Sequence, residues 1–325
     1  MKLAFLTSLR AFTVLALAAM PLMAAAQDYP TKPIRMLLGF SPGGSSDVVA
    51  RILAQQLTQI LGQPVIVENR AGASGTIASA ALLQSPADGY TIQFIGPSYT
   101  GVHALYPNLP FDAKRDFIAV AGVVQSPMVL IVSKKSPYSN AQTLFADMKR
   151  NPGKLNFGSG GGGATITSLI GEIVKEQTNL KFETVLYKGT APAMTAIIQN
   201  EVDFTFDAMS GSKGMIDSGE VRPLAVTSLH PSKTLPNVPA LAELLNASID
   251  ARVWFGVVAP AKTPTAVITR LNQAINDVLN TPEMIARLHA MGIEPMPGTP
   301  QQFEAMLDQE TAMMTGLIKR LDLKP

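Results

Sequence analysis

Ile34-Arg35-Met36-Leu37-Leu38-Gly39-Phe40-Ser41-Pro42-Gly43-Gly44-Ser45-Ser46-Asp47 is the stretch that sets the fold class. The run Ile34 to Leu38 predicts a buried strand. Ser46-Asp47 predicts the cap of a helix carrying Val49, Ile52, Leu53, Leu57 and Ile60 on one face. A glycine-rich turn joins the two. The order then repeats: Gly62 ends the helix, Val65-Ile66-Val67 is a strand, Thr76 to Leu83 a helix and Tyr90 to Phe94 a strand. Strands alternating with helices of this length predict βαβ units, an α/β fold with a mainly parallel sheet.

Further along, Val120 to Val132 holds two apolar runs split by Ser126-Pro127, too long for one ordinary strand. Leu224-Ala225-Val226-Thr227 leads into the proline-rich stretch Pro231 to Pro239. Both read as crossings between two domains. Between them, strands are expected at Leu155 to Phe157, Thr184 to Leu186 and Phe204 to Phe206, and after them at Val253 to Val258. The expected division is residues 27–125 for the first part of domain 1, 126–228 for domain 2, and 229–325 for a return to domain 1 with C-terminal helices. Thr263-Pro264, Thr281-Pro282 and Thr299-Pro300 each predict an N-cap threonine followed by proline at the first helical position. Gln302 completes a capping box with Thr299.

Residues 1–26 read as a cleaved signal peptide: Lys2 and Arg10, the apolar run Ala11 to Met20, Pro21, then Ala24-Ala25-Ala26. The run before Pro21 is half of the roughly 20 residues a bilayer span needs. The expected cut after Ala26 places the protein in a bacterial periplasm. The 325-residue chain has 26 Lys+Arg and 24 Asp+Glu. Losing Lys2 and Arg10 leaves the mature chain with no net charge. A neutral protein has no electrostatic footprint for nucleic acid or for anionic membranes. Cysteine is absent, which excludes a disulfide framework, a thiolate metal site and a cysteine nucleophile.

Chemistry is expected at helix N-termini. Phe40 to Asp47 leaves a strand and opens a helix, and Phe157-Gly158-Ser159-Gly160-Gly161-Gly162-Gly163-Ala164-Thr165 does the same later. Asn69 to Gly75 and Tyr187 to Ala193 form a second echoing pair. Such loops present backbone N–H groups, hydroxyls and positive helix ends, which suit an anion. No stretch matches the phosphate P-loop or the nucleophile elbow G-x-S-x-G. Gly158-x-Gly160-x-x-Gly163 matches a dinucleotide fingerprint, but Glu183 starts the next strand where an acid should end it. His103, His230 and His289 lack ligand spacing, so neither a metal nor a catalytic triad is expected. Few Arg or Lys sit in the loops, which favours a carboxylate over a highly charged phosphate. Phe40, Tyr99 and Met209 are near the loops and suited to cover a ring or alkyl chain.

The motifs resemble those of a family. Tyr29-Pro30-x-Lys32-Pro33-Ile34, Pro42-Gly43-Gly44-x-x-Asp47 with Ala50-Arg51, Val67-Glu68-Asn69-Arg70 with Gly72-Ala73-x-Gly75, Tyr187 to Ala193 and Trp254 to Pro260 are similar to those of Bug-type periplasmic solute-binding receptors of tripartite tricarboxylate transporters. Ala71, the four glycines Gly160 to Gly163 and Ala240 depart from that pattern. The resemblance implies a two-domain periplasmic-binding-protein fold of type II character, with a ligand cleft between the domains and a two-strand hinge. It implies a receptor that captures a small organic carboxylate (dicarboxylate, tricarboxylate or aromatic acid) and delivers it to membrane permease subunits, as a monomer without cofactor, metal or enzymatic activity. The site residues implied are Phe40, Ser41, Gly44, Ser45, Ser46 and Asp47; a floor of Gly72, Ala73, Ser98 and Ser126; and Ser159, Gly161, Gly163, Ala164 and Thr165 with a wall of Thr190 and Asp207. Asp207 is either a ligand acceptor or a structural cap. Arg70 is either a ligand or a structural arginine, and Trp254 is read as packing. The alternatives to transport are a periplasmic sensor and an enzyme acting on a small acid.

Overall fold

The computed structural model describes residues 29–43, 45–160, 166–187, 190–247, 249–320 and 322. The expected signal peptide lies outside them. In the first body, β1 (Ile34–Leu38) is followed by α1 (Ser45–Leu61), β2 (Val65–Asn69), α2 (Thr76–Leu83), β3 (Thr91–Ile95), α3 (Ser98–Leu105) and the short α4 (Ala113–Asp116). β4 (Phe117–Ser133) crosses into the second body. There follow α5 (Ala141–Arg150), β5 (Asn156–Gly160), α6 (Ile166–Thr178), β6 (Glu183–Tyr187), α7 (Thr190–Gln199), β7 (Phe204–Ala208), α8 (Met209–Asp217), β8 (Val221–Val226) and α9 (Leu241–Leu245). β9 (Arg252–Pro260) returns to the first body, with α10 (Thr265–Leu279), α11 (Pro282–Ala290), β10 (Glu294–Pro295) and α12 (Pro300–Arg320).

The strand order is β2-β1-β3-β9-β4-β7-β5-β6, with β8 and β10 also paired to β4. β1 lies parallel to β2 and β3, and β5 lies parallel to β6 and β7. Each body therefore repeats one parallel motif, and the antiparallel β4 and β9 join the two. One core gathers Met36, Leu53, Leu57, Ile92, Phe94, Leu271 and Ile275; the other gathers Met128, Leu130, Phe157, Phe204 and Phe206. Phe157 stacks on Phe204 with ring centroids 5.4 Å apart. The fold is thus the two-domain α/β architecture expected.

Three expectations are corrected. Val120 to Val132 lies within a single strand of 17 residues, β4, which runs through both sheets. Pro127, which has no N–H to donate, sits where β4 changes partner from β9 to β7 and β8, so it interrupts no ladder. Beyond the expected return at 229, Leu241, Ile249 and Ala251 are buried in the second core, and β9 pairs with β3 of the first body. In α1, Leu61 is buried and Ile60 is 37% exposed, since the stripe through Leu53 and Leu57 continues at Leu61. Thr263 caps nothing: Pro264 keeps an extended ψ of 139° and the helix starts at Thr265. Thr281 does accept from Met284 N–H, and Thr299 and Gln302 exchange both bonds of the capping box.

Candidate functional site

Between the two bodies lies a cavity of about 530 Å³, within the range of small-molecule sites. Helix starts surround it. Ser45 and Ser46 open α1, Ser98 opens α3, Thr190 opens α7, Ala208 precedes α8, and Ile166 and Thr167 are the first described residues of α6; all of them line the cavity. In each body the parallel strands send these helices off the carboxyl edge of that body's sheet, and because the two sets of strands run in opposite directions the two edges face each other, so the positive helix ends converge. Among the described residues no Lys, Arg or His lines the cavity, and Asp207 is the one carboxyl group that does.

The convergence depends on close backbone approach at matching places in the two bodies. A Cβ on Gly39, just past β1, would stand 2.6 Å from Gly75 Cα. A Cβ on Gly160, which ends β5, would stand 2.6 Å from Thr190 Cα. In each body a glycine after the first strand thus touches the turn that follows the neighbouring parallel strand. Thr167 Oγ1 donates to Gly160 O at 2.6 Å, tying α6 to the same point. On the facing wall, Ser98 Oγ donates to Ser74 O at 3.1 Å. Ser74 has φ 55° and its neighbour Ala73 has φ 44°, the left-handed region that residues with a Cβ seldom occupy. This strained turn stands at the cavity wall, the kind of place where such strain persists.

Of the residues expected at the site, Phe40, Ser45, Ser46, Ser98, Thr190 and Asp207 line the cavity. Gly44, Gly161, Gly163, Ala164 and Thr165 lie outside the described residues. The others are placed elsewhere. Ser41, Gly72 and Ala73 are exposed and outside the lining; Ser74 is the member of that turn that reaches it. Ser159 is fully buried within β5, because the strand continues to Gly160 in register with β6. Ser126 is buried at the crossing and donates to Gly292 O. Met209 is fully buried in the second body, and Tyr99, half-buried, donates its hydroxyl to Ala113 O.

Asp47 also points away from the cavity, into a network that explains several motif residues at once. Its carboxylate accepts from Arg51 at 2.9 Å, from Gly43 N–H at 3.0 Å and from Asn69 at 2.9 Å. Asn69 also donates to Phe40 O at 3.0 Å. The Arg51 guanidinium, helped by Asn69 and Gly43, holds the Asp47 carboxyl down at about 2 against the opposing effect of burial. The network fixes the loop between β1 and α1. Arg70 bonds Glu68 at 2.7 Å and lies outside the lining of the cavity. Trp254, 2% exposed, packs edge-on against Phe303. Asp207 is 4% exposed, and burial raises its carboxyl to about 6 against a backbone bond from Ala208.

The residues that sequence reading missed are mostly apolar: Leu105, Tyr106, Ile166, Val253, Phe255 and Met314. Nothing local marks them, since each reads as core at its own helix or strand period.

The receptor model of the tripartite tricarboxylate transporter family matches residues 49–323. The chain belongs to that family. It is 34% identical over 303 residues to protein BugT of Bordetella pertussis (strain Tohama I), covering 92% of each chain. Among solved structures, R. palustris Rpa4515 with adipate superposes with a TM-score of 0.80 at 31% identity, over 92% of this chain and 100% of that one. The periplasmic binding protein BugD superposes with a TM-score of 0.76 at 31% identity, over 91% of this chain and 99% of that one. As a tripartite tricarboxylate transporter family receptor, the protein is a solute-binding component of a membrane transport system.

Proposed function

We propose that the cavity captures a small organic carboxylate in the periplasm and hands it to the membrane subunits of a tripartite transporter. The carrying observation is the convergence of helix N-termini and hydroxyls on a cavity that no described cation lines. The relative Rpa4515, named with adipate, supports the same ligand chemistry. Ser45, Ser46, Ser98, Thr190 and the backbone of the Phe40 and Gly160 loops would hold the carboxylate. Gly44 and residues 161–165 are proposed to add N–H groups. The arithmetic suffices: hydrogen bonds to a charged group net roughly 1.5–3 kcal/mol each. Four of them match the roughly 8.2 kcal/mol of a 1 μM complex before the cost of immobilising the ligand. The receptor works as a monomer without turnover, and the segment ending at Ala26 is removed on export. Mass spectrometry of ligand released from periplasmic protein, with the intact mass of the mature chain, tests both. Calorimetry against acids and their amides completes it. An uncharged amide or sugar binding as tightly as every acid tried overturns the carboxylate assignment.

A further inference from the structure

Met314 takes part in two features of the molecule at once. It lines the cavity, and with Leu169 and Leu317 it forms a buried apolar cluster. Leu169 belongs to α6 of the second body, whereas α12, which carries Met314, packs on the first through Phe303 against Trp254. Among the described residues, Met314 is the one member of that cluster that lines the cavity. Beside it on α3 stands Gly101, which is also in the lining. A Cβ on Gly101 would lie 3.4 Å from Met314 Cε and 3.1 Å from Ile318 Cδ1. The glycine thus lets α12 lie close on α3, and the Met314 side chain meets Gly101 of one body and clusters with Leu169 of the other.

Methionine is unbranched and flexible, so it adapts to the space that its neighbours leave. A ligand that fits the cavity with Met314 in place buries its apolar atoms and leaves the cluster intact. A longer ligand has to displace the side chain, and the contact with Leu169 is then lost. A ligand favours the arrangement in which the bodies meet only by what it gains there, so that loss falls on its affinity. Resting on the carboxylate reading above, we propose that Met314 sets the length of acid the receptor accepts. Chain length is read at the contact between the bodies, which an overlong ligand breaks. Met314→Ala removes three heavy atoms and makes room for roughly two more methylene groups in a ligand. Each methylene buried there is worth about fourfold in affinity.

Calorimetry on the mature protein tests this with two homologous series, butanoate to decanoate and succinate to sebacate, and with hexanamide as the uncharged control. Wild type should show a length of tightest binding in at least one series. In Met314→Ala that length should rise by about two carbons, and the longer acid should bind about tenfold more tightly than it does to wild type. Met314→Phe adds bulk and should move the optimum to shorter acids; it carries the test if the alanine variant does not fold. An unchanged optimum in a folded variant, with every length weakened by the same factor, would make Met314 a packing residue alone. That result overturns the proposal and leaves the carboxylate reading standing. Wild-type affinity that rises with length through both series does the same, since no length is then set. Hexanamide binding as tightly as every acid, or no acid of either series binding, overturns the carboxylate reading and the proposal with it.

Discussion

At the scale of single residues, the site depends on atoms that are missing as much as on atoms that are present. Gly160 lets β5 touch the start of α7, and its absent Cβ would meet backbone, which cannot swing aside. Gly160→Ala should therefore push α7 off the cavity and weaken carboxylate binding at least tenfold, about 1.4 kcal/mol. Calorimetry beside a melting curve separates this from a folding defect, which would lower Tm and spare affinity. Asp207 carries a different signature. Burial raises its carboxyl to about 6 from an ordinary value of 3.8. The folded protein thus holds this proton more tightly than the unfolded chain does. Its stability contribution is full below pH 4 and is lost as pH rises through 6. Asp207→Asn removes the group, so its stability advantage over wild type should be near zero at pH 4. By pH 7 it should approach about 3 kcal/mol, the free energy of keeping the proton on a carboxyl raised this far. A gap that does not change with pH would show that burial does not act on this carboxyl.

At the scale of elements, one side chain reinforces the backbone pairing at the crossing between the bodies. Thr227, fully buried just after β8, accepts from Met128 N–H at 2.8 Å through Oγ1 and bonds the carbonyl of Ala251 with the same hydroxyl. Its own N–H donates to Met128 O at 2.9 Å. The outgoing strand β4 and the segment entering β9 are thus tied at one point. Thr227→Val keeps the shape and removes the acceptor, leaving a buried N–H without this partner. The expected loss is about 1–3 kcal/mol in urea unfolding, and Thr227→Ser should recover most of it. Equal stability of all three proteins would mean that Met128 finds another acceptor. The helix caps show what is legible at this scale. Thr281 and Thr299 are N-caps as their sequence context predicts, while Thr263, in the same Thr-Pro pattern, is not. The difference is Pro264, whose extended ψ delays the helix by one residue, a matter of how the chain leaves β9.

At the scale of the whole molecule, the two bodies meet across a second seam. Leu169 of α6 is fully buried against Met314 and Leu317 of α12. Arg320 reaches Glu176 at 3.1 Å beside them. The ion pair is half-exposed and contributes little, so the apolar contact is the stronger part of the seam. Domain closure around a ligand by rotation about a few residues predicts that this seam forms with the ligand bound. Small-angle scattering should show a smaller radius of gyration for wild type with saturating ligand than without. Leu169→Asp should stay at the larger value under the same conditions and bind at least tenfold more weakly. A variant that compacts as wild type does would remove the seam from the closing mechanism.

Much of this protein is determined by local sequence. The alternation of strand and helix, the positions of β1, α2 and β7, the glycine-rich turns at helix starts and the resulting preference for an anion all follow from periodicities and caps that span a dozen residues or fewer. The motif residues of the family were legible for the same reason, but their roles were not. Asp47, Asn69 and Arg51 turned out to brace a loop, and Ser126 and Ser159 to be buried in strands. Only the tertiary structure decided which turns face one cavity, that β4 runs unbroken through both bodies, and that Leu105, Ile166 and Met314 line the same cavity. The physical reason is range. A hydrogen-bonded turn or an amphipathic stripe is set by neighbours in the chain, whereas a cavity wall assembled from residues 105, 166 and 314 exists only after sheet order and closure have brought three distant helices together.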